Sequence, residues 1–232
     1  MSPAPARLPV PAALIIDLDG TLVDTVETRI RAWLQVFEEF GIPAARPQIA
    51  RLIGVDGRRL AREVSGTADR VLPDGGDEEI DRRCGEIYES LNRDPQPLAG
   101  VRDLLVWLDE VSLPWAIATS SRREQVGRSV AALDLPRDPT IVDGSHVVRA
   151  KPAPDLLLMA AGELERPPAT CWCVGDSTWD MQAAVAAEMT PVGVTAGAAV
   201  SAADLTAAGA VLIAETLTEL RLELRRTLAE SG

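Results

Sequence analysis

Residues 12–17, AALIID, form an apolar run closed by an acid, and nothing like it returns until after Pro95. A run without polar alternation reads as a strand buried on both faces, which is how parallel sheets are written. A parallel strand needs partners, so these must come from far along the chain. Between Asp24 and Pro95 there is no strand signal. TVETRIRAWLQVFEEFG places Ile30, Trp33, Leu34, Phe37 and Phe40 at helical spacing and ends on Gly41, a stop signal. PQIARLIG and GRRLAREVSG read as two short helices around a Gly54–Gly57 turn, and DEEIDRRCGEIYESLNRD, 77–94, as a charged amphipathic helix. Past Pro95–Gly100 the strands return as LPWAIAT, TIVDG, CWCVGD, TPVGVT and AVLIA, each separated from the next by a helical stretch. Alternation of this kind builds βαβ units. The chain is therefore read as α/β, with a parallel-sheet core from residues 1–24 and 95–232 and an all-α insert, 25–94, placed after the first strand.

Composition limits what such a molecule can do. A formal net charge of −12 argues against nucleic acid or an anionic membrane surface as partner. No apolar run approaches the roughly 18 residues of a membrane span. The first residues read as a short tail leading into the buried strand rather than a signal peptide. Cys84, Cys171 and Cys173 have no framework spacing and His146 is the only histidine. Disulfide scaffolding and zinc are thus disfavoured, and buried thiols in a reducing, cytoplasmic setting are expected.

In a parallel α/β sheet the ligand sits at the carboxyl ends of the strands. There the sequence places Asp17-Leu18-Asp19-Gly20-Thr21, Thr119-Ser120-Ser121, Lys151, and Gly175-Asp176-Ser177 with Asp180 a helical turn later. Each segment has a structural alternative, namely a turn, a helix N-cap or a solvated lysine. Together they bring Asp17, Asp19, Asp176 and Asp180 toward one crevice. Like charges 4 Å apart repel by about 4 kcal/mol at an effective dielectric near 20. A hard divalent cation with oxygen ligands, best Mg²⁺, would answer that repulsion. Lys151 adds a second positive charge, and it is the only lysine among 23 Lys plus Arg. A chain that uses arginine everywhere else keeps a compact point donor where a planar fork would not fit.

These four segments, in this order, resemble the signature of the haloacid dehalogenase-like hydrolase superfamily. The first motif is matched by Asp17-Leu18-Asp19-Gly20-Thr21-Leu22-Val23-Asp24, the second by Thr119, the third by Lys151 and the fourth by Gly175-Asp176-Ser177-Thr178-Trp179-Asp180. The resemblance covers about residues 12–195 and implies a Rossmann-like three-layer core. The insert is similar to the four-helix cap of the phosphoglycolate phosphatase and β-phosphoglucomutase type. By resemblance, Asp17 attacks phosphorus to give an aspartyl-phosphate. Asp19 protonates the leaving oxygen and then activates water, a role for which crowding by neighbouring carboxylates is expected to raise its pKa. Mg²⁺ would be held by Asp17, by the main-chain carbonyl of Asp19 and by Asp176, with Asp180 orienting the shell. Thr119, Ser120 and Lys151 would clamp the phosphoryl oxygens.

Asp19 favours phosphoryl chemistry, since haloalkanoate dehalogenases of the superfamily lack that second acid. The phosphonate-cleaving branch needs a cap lysine, and residues 25–94 contain none. The β-phosphoglucomutase pattern carries a valine-like residue, a cap histidine and a cap-loop arginine where Thr21, Arg29 and Gly57 stand here. The reading is therefore a Mg²⁺-dependent phosphatase of a small phosphorylated metabolite, with a phosphomutase as alternative. A silent phospholigand-binding protein is a third reading, although no nucleophile or metal ligand is missing. In the cap, Arg51, Gly54, Asp56 and Arg58 are expected to face the site, with Gly54 and Arg58 as substrate contacts and Arg29 as a further inward-facing residue. Trp33, Trp107, Trp115 and Trp172 are assigned to packing. Hinges are expected near Val23–Thr25 and Arg93–Pro97. Oligomeric state is not legible in the sequence.

Overall fold

The computed structural model describes residues 8–230, so part of the expected N-terminal tail lies outside the described residues. Six parallel strands, β1 (Ala13–Ile16), β2 (Trp115–Ala118), β3 (Thr140–Val142), β4 (Cys171–Gly175), β5 (Thr190–Val194) and β6 (Leu212–Ala214), pair in the order β3-β2-β1-β4-β5-β6. The first strand thus becomes the centre of the sheet, with Leu14 opposite Trp115 on one side and Trp172 on the other. All four of its residues are fully buried, as expected of an apolar run covered on both faces. The chain proceeds from β1 outward through β2 and β3, then crosses back to β4 on the opposite side. That reversal opens a crevice at the carboxyl ends of β1 and β4.

Helices α5 (Val101–Glu110) and α10 (Leu217–Ala229) cover one face, where Leu104, Leu105, Leu108, Leu220 and Leu224 pack on Leu14, Ile16 and Trp172. Helices α7 (Asp155–Glu163) and α8 (Thr178–Ala186) cover the other, packing Leu156, Leu157, Ala160, Ala183 and Ala184 on Ala13, Ile15 and Cys173. Small residues on that second face let the helices lie close to the sheet. Helices α6 (Arg123–Ala132) and α9 (Ala202–Ala207) complete the layers.

Between β1 and α5 the chain forms four helices and no strand: α1 (Val26–Glu39), α2 (Arg46–Leu52), α3 (Gly57–Thr67) and α4 (Gly76–Leu91). Their inward stripes make a separate core of Ile30, Trp33, Phe37, Ile49, Leu60, Ile80 and Tyr88. The two connections to the sheet run side by side. The Asp24 N–H donates to the Gln96 carbonyl at 2.9 Å, and Val23 forms an isolated bridge with Pro97. All three cysteines are buried and free, and Trp107, Trp115 and Trp172 pack in the sheet core. Among the described residues no helix is long and apolar enough to cross a membrane.

Candidate active site

Asp17 follows directly on β1, and its N–H is held by the Val174 carbonyl of β4 at 2.8 Å, which aims the residue into the crevice. The turn that follows depends on Gly20. Its φ is +85°, and a Cβ there would stand 2.3 Å from Asp176 Oδ2. Thr21 Oγ1 donates to Asp176 Oδ1 at 2.9 Å, tying the β1 turn to the β4 loop. Asp180 serves both readings of its motif. Its Oδ2 accepts from the Ser177 N–H and hydroxyl in a capping box, while Oδ1 turns toward Lys151.

Carboxylate oxygens of Asp17, Asp176 and Asp180 lie within 4.8 Å of one another, all buried. Lys151 Nζ donates to Asp17 Oδ1 at 2.5 Å and to the Ala118 carbonyl at 2.7 Å, and pairs with Asp180 Oδ1 at 2.7 Å. The lysine is 1% exposed and among the largest fully buried side chains of the described residues. Burial alone would lower its pKa, but Asp17 and Asp180 hold it above the ordinary lysine value. Three carboxylates against one ammonium leave a surplus of negative charge. The consequence shows on Asp17, whose pKa is pushed up to about 7 by burial and by Asp180 despite Lys151. Asp176 is raised as well, by burial and then by Asp17 and Asp180. Three hard oxygen donors with too little positive charge fit a divalent metal ion. The Asp19 side chain is not part of this cluster.

Asp19 departs from expectation in a second respect. Crowding was expected to raise its pKa, yet it is lowered. Burial would raise it, but the Arg29 guanidinium lies 2.8 Å from Oδ2, and the hydroxyls of Thr25 and Ser121 donate to its oxygens at 2.6 and 2.7 Å. Tyr88 OH adds a fourth donor at 3.1 Å. Arg29 comes from α1 across the seam between helical insert and sheet. It also donates to Ser121 and Gln125 and stacks 3.6 Å from the Tyr88 ring centroid. Its inward orientation agrees with the sequence, whereas Tyr88, the only tyrosine, carried no signal beyond an amphipathic stripe.

A cavity of about 50 Å³ lies over Asp17 and Asp19, bounded by Thr119, Ser120 and Ser121 on the sheet side. Gly54, Val55, Gly57 and Trp33 bound it on the helical side, so Trp33 is a cavity wall as well as the packing residue that was expected. Thr119 is 1% exposed and its Oγ1 accepts from the Ser121 N–H. Ser120 Oγ donates to the Gly54 carbonyl at 3.0 Å, Trp179 Nε1 to the Arg51 carbonyl at 3.1 Å, and the Asp56 N–H to the Lys151 carbonyl at 3.2 Å. The insert is thus closed on the sheet, leaving room for about one or two waters.

The remaining insert residues singled out from sequence lie elsewhere. The Arg51 side chain is exposed, and Asp56 N-caps α3 through the Arg59 N–H. Arg58 lines a separate surface groove with Val148 and Arg149, where it pairs with Asp56 and donates to the Val148 carbonyl. The azimuth of α3 turns its first arginine outward and presents Gly57 and Leu60 to the cavity.

The sequence profile of haloacid dehalogenase-like hydrolases matches residues 14–194, which include every strand-end motif of the crevice. The chain belongs to the haloacid dehalogenase-like hydrolases. It is 30% identical over 218 residues to a β-phosphoglucomutase of Bacillus subtilis (strain 168), covering 91% of this chain and 92% of that protein. It is 30% identical over 185 residues to a fructose-1-phosphate phosphatase of Escherichia coli (strain K12), covering 79% and 96%. A solved hydrolase from Pseudomonas syringae superposes with a TM-score of 0.88 at 33% identity, covering 92% of this chain and 98% of that one. As a haloacid dehalogenase-like hydrolase, the chain has its acids at the switch point of the sheet, beneath the helical insert.

Proposed function

We propose that this hydrolase is a Mg²⁺-dependent phosphatase of a small organic phosphate monoester, acting through an aspartyl-phosphate on Asp17. The observation that supports it most is the cluster of Asp17, Asp176 and Asp180 around one buried lysine, beside a second acid, Asp19, held apart from them. Asp17, Asp176 and Asp180, with the Asp19 main-chain carbonyl, would hold Mg²⁺, which supplies charge for the phosphoryl oxygens and keeps the carboxylates ionised. Lys151, in the loop before α7, and Thr119, directly after β2, would add donors. Asp19 would take up a proton from solvent before the first step, hand it to the leaving oxygen and later take one from water. Arg29 holds its pKa low, which suits the water step. Residues 25–94 act as the cap, swinging about Val23–Thr25 and Arg93–Pro97, because a cavity this small admits substrate only when opened. A cytoplasmic location and a small phosphorylated metabolite as partner complete the reading.

The Bacillus subtilis relative keeps a phosphomutase as the second reading. Against it stand Arg29 and Gly57 in place of the cap histidine and arginine.

Phosphate release from a panel of monophosphates tests the proposal. Release should cease in EDTA and return with Mg²⁺, and full activity in metal-stripped protein would refute the metal assignment. Stability gives an independent reading. Asp17 has its folded pKa raised to about 7 and Asp176 is raised well above the ordinary 3.8, so in metal-free protein their contribution is complete below about pH 4 and is lost as pH rises, for Asp17 through about 7. Mg²⁺ displaces those protons and should reverse the trend. Differential scanning calorimetry at saturating Mg²⁺ should show Tm raised by about 5 °C at pH 8 and far less at pH 5. Equal shifts at both pH values would contradict it.

A further inference from the structure

Three carboxylates line this cavity. Asp17 and Asp19 belong to the chemistry. Asp81, on α4 of the cap, reaches the same cavity with no evident part in phosphoryl transfer. Its Oδ1 lies 1.9 Å from where a Cβ of Gly57 would stand, so the acid fills the space that any side chain at 57 would need. Its Oδ2 pairs with Arg122 at 2.8 Å, and Arg122 also pairs with Glu78 at 2.6 Å. One arginine therefore faces two carboxylates. Burial, and the charges of Asp56 and Glu78, raise the Asp81 pKa. No donor among the described residues reaches Asp81 Oδ1.

Among the described residues lining the cavity, Arg29 is the one cation, against Asp17, Asp19 and Asp81. Arg29 is already engaged by Asp19, Ser121 and Gln125. The cap end is otherwise closed by Trp33, Ile53, Val55 and Leu60. The positive charge of the site is thus gathered at the phosphoryl end, around Lys151. The end that meets the leaving group offers an acceptor, apolar walls and no free cation.

Resting on the phosphatase reading above, we propose that Asp81 is a specificity-determining residue that selects a neutral, hydroxylated leaving group and rejects substrates carrying a second anion. A hydroxyl of a small polyol or sugar donates to the free Asp81 oxygen. A carboxylate or second phosphate there meets like charge at contact distance in a small, largely buried cavity, where repulsion is large.

Glycerol 3-phosphate and 3-phosphoglycerate differ only by a hydroxymethyl group against a carboxylate at the far carbon, and so isolate the effect. The wild-type holoenzyme should show a kcat/KM at least about 100-fold higher for glycerol 3-phosphate. Asp81→Asn keeps the shape and removes the charge. It should narrow the ratio at least about tenfold, mainly by lowering KM for 3-phosphoglycerate. Arg122→Gln leaves Asp81 without its counter-charge and should widen the ratio in assays at about pH 9, where the acid stays ionised. A folding defect would lower both substrates together and leave the ratio alone, so opposite movements in the two variants carry the test. A wild-type ratio near one, or Asp81→Asn leaving it unchanged, overturns the assignment while the phosphatase reading stands. No release from any monophosphate, or release that survives Asp17→Asn, means the phosphatase reading has failed and this proposal with it.

Discussion

Asp17→Asn is expected to abolish phosphate release while leaving the fold intact. The carboxylate it removes sits at the end of the central strand, with one oxygen on Lys151 and the other acids of the cluster beside it. An amide keeps the volume but cannot attack phosphorus, and it is a poor ligand for a hard cation. The fold has little reason to suffer. Burial and Asp180 already disfavour the Asp17 charge, and Lys151 keeps Asp180 and the Ala118 carbonyl when that charge is gone. Metal-free Tm should stay within about 4 °C of wild type, while kcat falls by at least about 10³-fold. Retention of more than a few per cent of the wild-type rate would remove Asp17 from the nucleophile's role.

Lys151→Arg should be nearly as damaging, although it conserves charge. The ammonium is held by two carboxylates and a carbonyl at 2.5–2.7 Å in a site that is 1% exposed. A guanidinium is larger and planar and would have to displace β2 or the acids to enter. Overpacking of this kind costs about 1–3 kcal/mol in stability. Loss of one preorganised donor to a developing oxyanion typically costs about 10²–10³-fold in kcat. Thermal melting and steady-state kinetics on the same preparation separate the two effects. Wild-type-like turnover by the arginine variant would show that the site needs only a positive charge at 151, and the significance of the lone lysine would vanish.

The first strand, the strand-free stretch after it and the later alternation are legible because burial on both faces and helical periodicity are local patterns. The strand-end motifs are legible for a related reason. In a parallel sheet, whatever follows a strand emerges on the same side, so Asp17, Thr119, Lys151 and Asp176 must meet wherever their strands pair. Trp33, Asp81 and Arg58 are different. Each lies on a helix whose exposed and buried sides depend on how the helical insert packs on the sheet. Trp33 satisfied a packing stripe and also became a wall, while Arg58 turned out to the surface.

The same division explains Asp19. Its sequence neighbours are acids and suggested a raised pKa. Across the seam, Arg29 and the hydroxyls of Thr25 and Ser121 together reverse the sign. By itself, then, the sequence determined the parallel sheet, the place of the insert and the convergence of acids with one lysine at the strand ends, because those follow from periodicity and strand polarity. The tertiary structure alone decided which insert residues face the cavity, which carboxylate pKa is raised or lowered and how closely the insert lies on the sheet. Those depend on contacts between residues distant in sequence, where a rotation of one helix exchanges a cavity wall for a solvent face.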